Sequence, residues 1–126
     1  MRQADPLLLS PLQLRGVELK NRITISPMQQ YAAGPDGLPG EYHTVHYGRL
    51  ALGGAGLVFT EALCIAPEAR LTYSDLGIWN DDFIGPLAKL AKTMRDLGSV
   101  PGAQILHAGR KASMQRPWHG FLPLSE

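Results

Sequence analysis

Near the amino terminus, apolar and polar positions alternate with the period of a β-strand. In residues 12–19, LQLRGVEL, the alternation runs on both sides of Arg15-Gly16, which predicts a small β-hairpin with Gly16 supplying the positive φ of its turn. Apolar residues alternate with polar ones again in residues 22–26, RITIS. Pro27 follows, and because proline has no backbone N–H to donate to a neighbouring strand, it stops the strand pairing. The second segment therefore predicts one strand that ends in a loop.

The pattern then changes from the period of a strand to that of a helix. The turn-rich residues 34–40, GPDGLPG, separate the strand from a helix predicted over residues 42–52 and ended by Gly53-Gly54. One face of this helix carries Tyr47, Leu50 and Ala51. Residues 56–60, GLVFT, follow as a short apolar run whose Val and Phe favour a buried strand.

The clearest helical pattern follows a long connection, residues 62–80. Asp81 and Asp82 are predicted to cap this second helix, and Gly98 is predicted to end it. Its apolar face repeats at helical spacing through Phe83, Leu87, Leu90, Ala91, Met94 and Leu97. Residues 103–107, AQILH, are predicted to form a third short strand after a Pro-Gly pair.

The order of these elements predicts an α/β fold. Hairpin, strand, helix, strand, helix and strand is the alternation of a parallel sheet with crossover helices, and it fits an open doubly wound sheet or a barrel. The first strand leads into SPMQQYAAGPDG and not into a GxGxxG turn that opens a helix, which disfavours a dinucleotide-binding start. We expect residues 1–126 to be part of one domain without an internal boundary.

Composition narrows the classes of partner. Twelve Lys and Arg against eleven Asp and Glu give a net charge of +1 without a basic block, so nucleic acid is not expected as a partner. The single cysteine, Cys64, and the absence of long apolar runs predict a reduced, cytoplasmic protein that does not insert in a membrane. His43 and His46 have i, i+3 spacing, but no carboxylate or cysteine cluster accompanies them in the sequence, so no metal site is expected.

Candidate chemistry lies just after the predicted strands. In parallel α/β folds, functional residues gather at the carboxyl ends of the strands. Residues 26–31, SPMQQY, follow the first strand, and Glu61-Ala62 follow the second. Gln104 and residues 107–111, HAGRK, belong to the third. We expect these three groups to meet at one edge of the sheet.

These groups and their surroundings resemble one known family. SPMQQY, HYGRLALGGAGLVFTEA, PEARLTYSDLGIWNDD and QILHAGRKA are similar, in order and spacing, to the bacterial YqjM-like branch of the old yellow enzymes. The resemblance covers nearly the whole chain. It implies a (β/α)8 TIM barrel, of which this chain supplies the first three βα units and an N-terminal hairpin, with FMN bound at the carboxyl-end mouth and NADPH or NADH as the reductant.

The same resemblance implies which residues face the flavin. Four of them follow the first strand, namely Ser26, Pro27, Met28 and Gln29. Reduced flavin gives up hydride and keeps negative charge near its pyrimidine edge, so fixed donors there tune the cofactor. Gln104 matches the family's glutamine at that edge, where its carboxamide offers a donor and an acceptor. Ala62 matches a small residue beside the ring, where bulk would block the flavin.

Three further positions are implied to lie toward the substrate, and a fourth, Gln29, departs from the family pattern. Tyr31 matches a tyrosine that faces the enone-like substrate, and Arg110 and Lys111 lie in a loop that approaches the active site. Gln29 stands where this branch usually has cysteine and the yeast and plant branch has threonine. We expect the Gln29 amide to replace that contact and to reach a flavin carbonyl.

A complete barrel takes about 250 residues, more than this chain provides. The resemblance places the family's substrate-anchoring histidine pair and phosphate-binding loops beyond Glu126. The leading hypothesis is an ene-reductase completed by a second chain or a C-terminal segment, and homo-oligomeric when complete. The alternatives are a non-catalytic fragment that serves only as a scaffold and another flavin barrel of the same superfamily, such as a dienoyl-CoA or trimethylamine-type relative.

Overall fold

The predicted hairpin forms, but with a different turn residue. In a computed structural model, which describes residues 6–112 and 114–119, β1 (Leu12–Leu14) pairs antiparallel with β2 (Val17–Leu19). The prediction that Gly16 supplies the positive φ is wrong, because Arg15 is the left-handed residue with φ 51°. The Gln13 side chain donates to the Arg15 carbonyl at 2.7 Å, and this hydrogen bond supports the exposed turn.

Four parallel strands form the main sheet. They are β3 (Thr24–Ile25), β4 (Leu57–Cys64), β5 (Leu76–Gly77) and β6 (Val100–Leu106). The strand β4 is central: β6 pairs along one of its edges, and β3 and then β5 pair in succession along the other. The parallel sheet predicted from the order of elements is therefore confirmed.

The strand β4 is longer than predicted, and β5 was not predicted. Glu61 and Ala62 lie inside β4 and not after it, because the strand continues as a fully buried run to Cys64. The connection predicted over residues 62–80 contains β5, a two-residue strand too short to show any periodicity. Its pairing with the end of β4 returns this connection to the sheet.

The strand β6 also begins earlier than predicted. It includes Pro101 and Gly102, and it ends at Leu106, which leaves His107 outside. The N–H of Val100 donates to the Gly56 carbonyl at 2.9 Å, so the nitrogen of Pro101 points to the opposite edge. Among the described residues no strand pairs with that edge of β6, so the proline leaves no ladder hydrogen bond unmade there and does not interrupt the strand.

Two helices cross over between the strands. They are α1 (Glu41–Leu52) and α2 (Ile84–Asp96), close to the predicted bounds, and Gly54 and Gly98 follow them with φ 94° and 85°. The cap predicted at Asp81 or Asp82 is wrong. Asn80 caps the turn that leads into α2, because its backbone is extended and its Oδ1 accepts the N–H of Asp82 at 3.0 Å.

The helices pack on one face of the sheet. Their shared core consists of Tyr47, Ala51, Ala55, Val58, Leu90 and Met94. Phe83, Leu90 and Met94 of the predicted apolar face are buried, and the other members are half-buried. Within residues 6–112 and 114–119, none of the helices is long and apolar enough to cross a bilayer. This packing leaves the carboxyl ends of the strands open for the loops that follow them.

Candidate functional site

The sheet brings two of the predicted site residues together. Ala62 of β4 and Gln104 of β6 are direct partners in the strand register. Ala62 is buried and Gln104 is exposed. The small residue and the carboxamide therefore lie side by side where β4 and β6 approach their carboxyl ends.

Residues 26–31 leave the sheet together after β3, and we call them the 26–31 loop. Ser26 and Met28 are exposed, whereas Pro27 and Gln29 are half-buried. The Nε2 atom of Gln29 is shielded from solvent and has no hydrogen-bond partner among the residues described. A buried donor of this kind costs about 1–3 kcal/mol, so Gln29 is poised to bind an acceptor.

Tyr31 is held in an unusual conformation at the end of this loop. Its φ is 56°, in the left-handed region that non-glycine residues seldom adopt. The ring is half-buried and meets Trp118 edge to face at 5.9 Å between centroids. Burial, followed by the charges of Asp75 and Glu61, raises the pKa of the Tyr31 phenol. Its hydroxyl therefore stays protonated at neutral pH and can donate a hydrogen bond.

The segment that reaches Tyr31 is residues 114–119, near the end of the described chain. Met114 bridges to Thr72, and the Arg116 Nε donates to the Ser74 hydroxyl at 2.8 Å. The Arg116 guanidinium also lies over the rings of Tyr73 and Trp118, at 5.2 and 5.6 Å from their centroids. The sequence shows only one arginine two residues before one tryptophan in QRPWH, a pair too short to carry a helical or strand period, so this contact could not be predicted.

Glu61 has a larger part in the site than the sequence indicated. It is fully buried, and its carboxylate accepts the backbone N–H of Gln30 in the 26–31 loop at 2.8 Å. The same carboxylate accepts the hydroxyl of Tyr47, and His43 approaches it from α1. A charged residue within the apolar run GLVFTEALC was the available signal, because a buried carboxylate requires partners.

The histidines and the cysteine take part in packing. His43 accepts the Gly40 N–H through Nδ1 at 3.1 Å. Burial and then Arg49 lower the pKa of His46, and burial and then Asp75 raise the pKa of Cys64 to about 11. Within the part of the chain that the structure describes, no three His, Cys, Asp or Glu side chains come together to hold a metal ion.

Arg110 and Lys111 follow β6 in a short 3-10 turn, Gly109–Lys111. Both side chains are exposed, and neither forms a hydrogen bond with the residues described. Arg110 and Lys111 thus lie after the strand that carries Gln104, and their side chains are not part of the buried region of the site.

Sequence comparison decides the family of this chain. The sequence profile of the NADH:flavin oxidoreductase / NADH oxidase family matches residues 7–119. The chain belongs to this family. An NADPH dehydrogenase of Geobacillus sp. (strain WCH70) is 40% identical over 111 residues, which cover 87% of this chain and 33% of that protein. An NADPH dehydrogenase of Bacillus cytotoxicus is 44% identical over 108 residues, covering 85% and 31%.

Solved structures of flavin oxidoreductases match the fold described above. Morphinone reductase in complex with tetrahydroNAD superposes with a TM-score of 0.76 at 31% identity, over 86% of this chain and 29% of that one. Old yellow enzyme from Pichia sp. AKU4542 gives a TM-score of 0.80 at 27% identity, over 87% and 28%. The old yellow enzyme resemblance and the TIM-barrel fold class are confirmed, as are FMN and NAD(P)H as the cofactors of this oxidoreductase family. The chain spans about a third of the length of the curated relatives it matches.

Proposed function

We propose that this chain forms the flavin-facing part of an ene-reductase that reduces the activated C=C bond of an enone-like substrate. The observation that carries the proposal is the buried Nε2 of Gln29, which has no hydrogen-bond partner among the described residues, together with the strand pair that carries Ala62 and Gln104. The arrangement fits a planar ring with carbonyl acceptors, which needs donors at its edge and little bulk beside its face. The remaining flavin-lining positions are Ser26, Pro27 and Met28.

When bound, FMN would supply the redox chemistry, which is the transfer of hydride from NAD(P)H to the electron-poor carbon of the substrate, while the neighbouring carbon takes up a proton. Gln29 is proposed to donate to a ring carbonyl through Nε2. The Gln104 carboxamide, exposed on β6, binds the edge that presents an N–H beside carbonyls. Ala62 leaves room for the ring because its side chain ends at a methyl group.

Tyr31 is proposed to bind the carbonyl oxygen of the substrate. Its raised pKa keeps the hydroxyl protonated, and a protonated hydroxyl stabilises negative charge that develops on that oxygen. The contact with Trp118 fixes the ring at the end of the 26–31 loop. Arg110 and Lys111, both exposed after β6, are proposed to approach the substrate from the other side of the mouth.

Activity requires the rest of the barrel, which we infer is supplied by a second chain or a C-terminal segment. This inference is supported by the length of the relatives and by the exposed strand β6, where Ile105 is 58% accessible. We call the chain together with this remainder the completed enzyme. Its homo-oligomeric assembly and its cytoplasmic location stay predictions.

The proposal is tested on the purified protein by intact mass, flavin absorbance and NADPH consumption with a simple cyclic enone. We expect yellow protein, a mass that accounts for a complete barrel, and enone-dependent NADPH oxidation under nitrogen. A colourless species of 13.7 kDa alone would contradict the proposal and support the scaffold alternative. Flavin-bound protein that oxidises NADPH but leaves the enone unchanged would favour a relative with different chemistry.

A further inference from the structure

A buried carboxylate lies directly behind the 26–31 loop. Glu61 belongs to β4 at a bulge, where Thr60 and Glu61 both stand opposite Ala103 of β6. Bulges redirect side chains and are over-represented beside active sites. Since Glu61 has no exposed surface, its charge must be met by hydrogen-bond partners, and those partners show which segments it connects.

Each carboxylate oxygen has its own partners. Oε2 accepts the N–H of Gln30 at 2.8 Å, and Oε1 accepts the Tyr47 hydroxyl at 3.3 Å. The Tyr47 oxygen in turn accepts the N–H of Glu61 at 2.6 Å. His43 Nε2 lies 3.3 Å from Oε1, in contact but not aligned for a hydrogen bond. Burial and then the Glu61 charge raise the pKa of Tyr47, so its hydroxyl remains a donor.

The 26–31 loop has few other attachments to the sheet. Within the described chain, no backbone group from Met28 to Ala32 pairs with another backbone group. The Gln30 side chain donates to the Met28 carbonyl at 2.7 Å and accepts the hydroxyl of the half-exposed Tyr42 at 2.8 Å. Glu61 is therefore the buried tether between this loop and β4.

We propose that Glu61 is a positioning residue, whose carboxylate fixes the directions of Gln29 and Tyr31 by binding the N–H of the residue between them. This inference rests on the proposed function, which assigns those two side chains to flavin and substrate. The Tyr47 hydroxyl holds the carboxylate in turn and His43 packs against it, so the placement of the loop depends on α1 as well as on β4.

Replacing Glu61 with Gln tests this tether with little change in volume. A glutamine has one acceptor oxygen and one NH2 donor. If the NH2 group faces Gln30, the N–H of Gln30 loses its acceptor. If the NH2 group faces Tyr47, the Tyr47 O–H loses its acceptor, and the N–H of Gln30 keeps only a weaker bond to a neutral amide oxygen. Tyr47→Phe keeps the charge and removes one partner, so it serves as a second variant if E61Q does not fold.

The first measurement is backbone hydrogen exchange in the FMN-free completed enzyme, on a peptide that spans residues 28–33. We expect E61Q to raise the exchange rate at Gln30 by about tenfold or more, and Y47F by less. The second measurement is the dissociation constant of FMN, which we expect E61Q to raise by about 10- to 100-fold and Y47F to raise by less.

Asp75→Asn is the matched control. Asp75 is equally buried and accepts the N–H groups of Leu71 and Thr72 and the Thr72 hydroxyl, but it forms no hydrogen bond with residues 28–31. We expect D75N to lower the melting temperature and to leave exchange at Gln30 unchanged. Exchange at Gln30 that matches the wild type in both E61Q and Y47F would overturn the proposal, as would equal acceleration in D75N.

The two proposals fail in different ways. If the wild-type completed enzyme binds no FMN, the proposed function is wrong, while faster exchange at Gln30 in E61Q still supports the tether. If the wild type binds FMN and both E61Q and Y47F bind it equally well, the positioning role is wrong and the flavin assignment stands.

Discussion

Replacing Gln29 with Ala should reduce the stability of the flavin-bound protein but not that of the flavin-free protein. Without FMN, Nε2 is a buried donor that the described residues leave unpaired, a cost of about 1–3 kcal/mol that the substitution removes. The loss of a half-buried side chain offsets part of this gain, so we expect the melting temperature of the FMN-free protein to stay constant or rise slightly. With FMN bound, the donor is used, and Q29A should lower the stability that the cofactor adds.

The same substitution should lower the reduction potential of the flavin. A donor at a ring carbonyl binds the negatively charged reduced ring more strongly than the oxidised ring, by about 1–2 kcal/mol. For a two-electron couple, about 1.4 kcal/mol corresponds to 30 mV, so the midpoint should fall by roughly 20–45 mV. The assay is a dye-equilibrated reductive titration of the completed enzyme.

The control for this experiment is Gln13→Ala in the hairpin. Gln13 is exposed, and its Nε2 already donates to the Arg15 carbonyl. We expect Q13A to leave the midpoint potential unchanged. A Q29A protein with the wild-type potential would refute the flavin contact, and an equal fall in Q13A would show that the shift has no local origin.

Three further substitutions, with Gly85→Ala as the control for the first, test the structure and the site. Gly56→Ala would place a methyl group 2.4 Å from the Asn21 carbonyl oxygen and should lower the unfolding free energy by about 1–3 kcal/mol in urea titrations. Gly85 has open space around it, so Gly85→Ala should raise the unfolding free energy by about 0.5 kcal/mol. Shifts of the same sign in the two variants would contradict the close approach at Gly56. Tyr31→Phe should raise the KM for an enone about tenfold and leave FMN binding unchanged, and a wild-type KM would exclude the proposed contact. Because the pKa of Cys64 is raised from 9.0 to about 11, the contribution of its protonated thiol to stability is complete below pH 9 and is lost as the pH rises toward 11. Cys64→Ala should therefore flatten the profile of stability against pH between pH 9 and 11. An unchanged profile would count against the raised pKa.

The long elements, in which the apolar pattern repeats several times, were predicted well from the sequence. The helix α2 repeats its apolar residues over four turns, and α1 is bounded by glycines, so their types and approximate limits followed from pattern alone. Two strand segments that lack such a pattern were missed. Neither the two residues of β5 nor the first residues of β6 show an alternation, and both depend on pairing with β4, which is a tertiary contact.

The site was predicted in part. Strand order placed Ala62 and Gln104 at one edge, and the register confirms that they are neighbours. The roles that the resemblance implies for Gln29 and Tyr31 stay predictions. The Nε2 of Gln29 is buried, and the backbone of Tyr31 is left-handed. The contact of Trp118 with Tyr31 could not be predicted, because it joins segments that are far apart in sequence and follows no local pattern.

The succession of β3 and β5 along one edge of β4 has a consequence for engineering. β3 pairs with Leu57 and Val58 and β5 pairs with Leu63 and Cys64, so among the described residues the stretch of this edge between Val58 and Leu63 is free of strand pairing. Because no backbone group from Met28 to Ala32 pairs with another backbone group of the described chain, exchanging residues 28–32 for the loop of a relative should leave the register of every strand unchanged. Under the proposed function, such an exchange would change substrate preference, provided that the grafted loop keeps a backbone N–H where the Glu61 carboxylate can accept it.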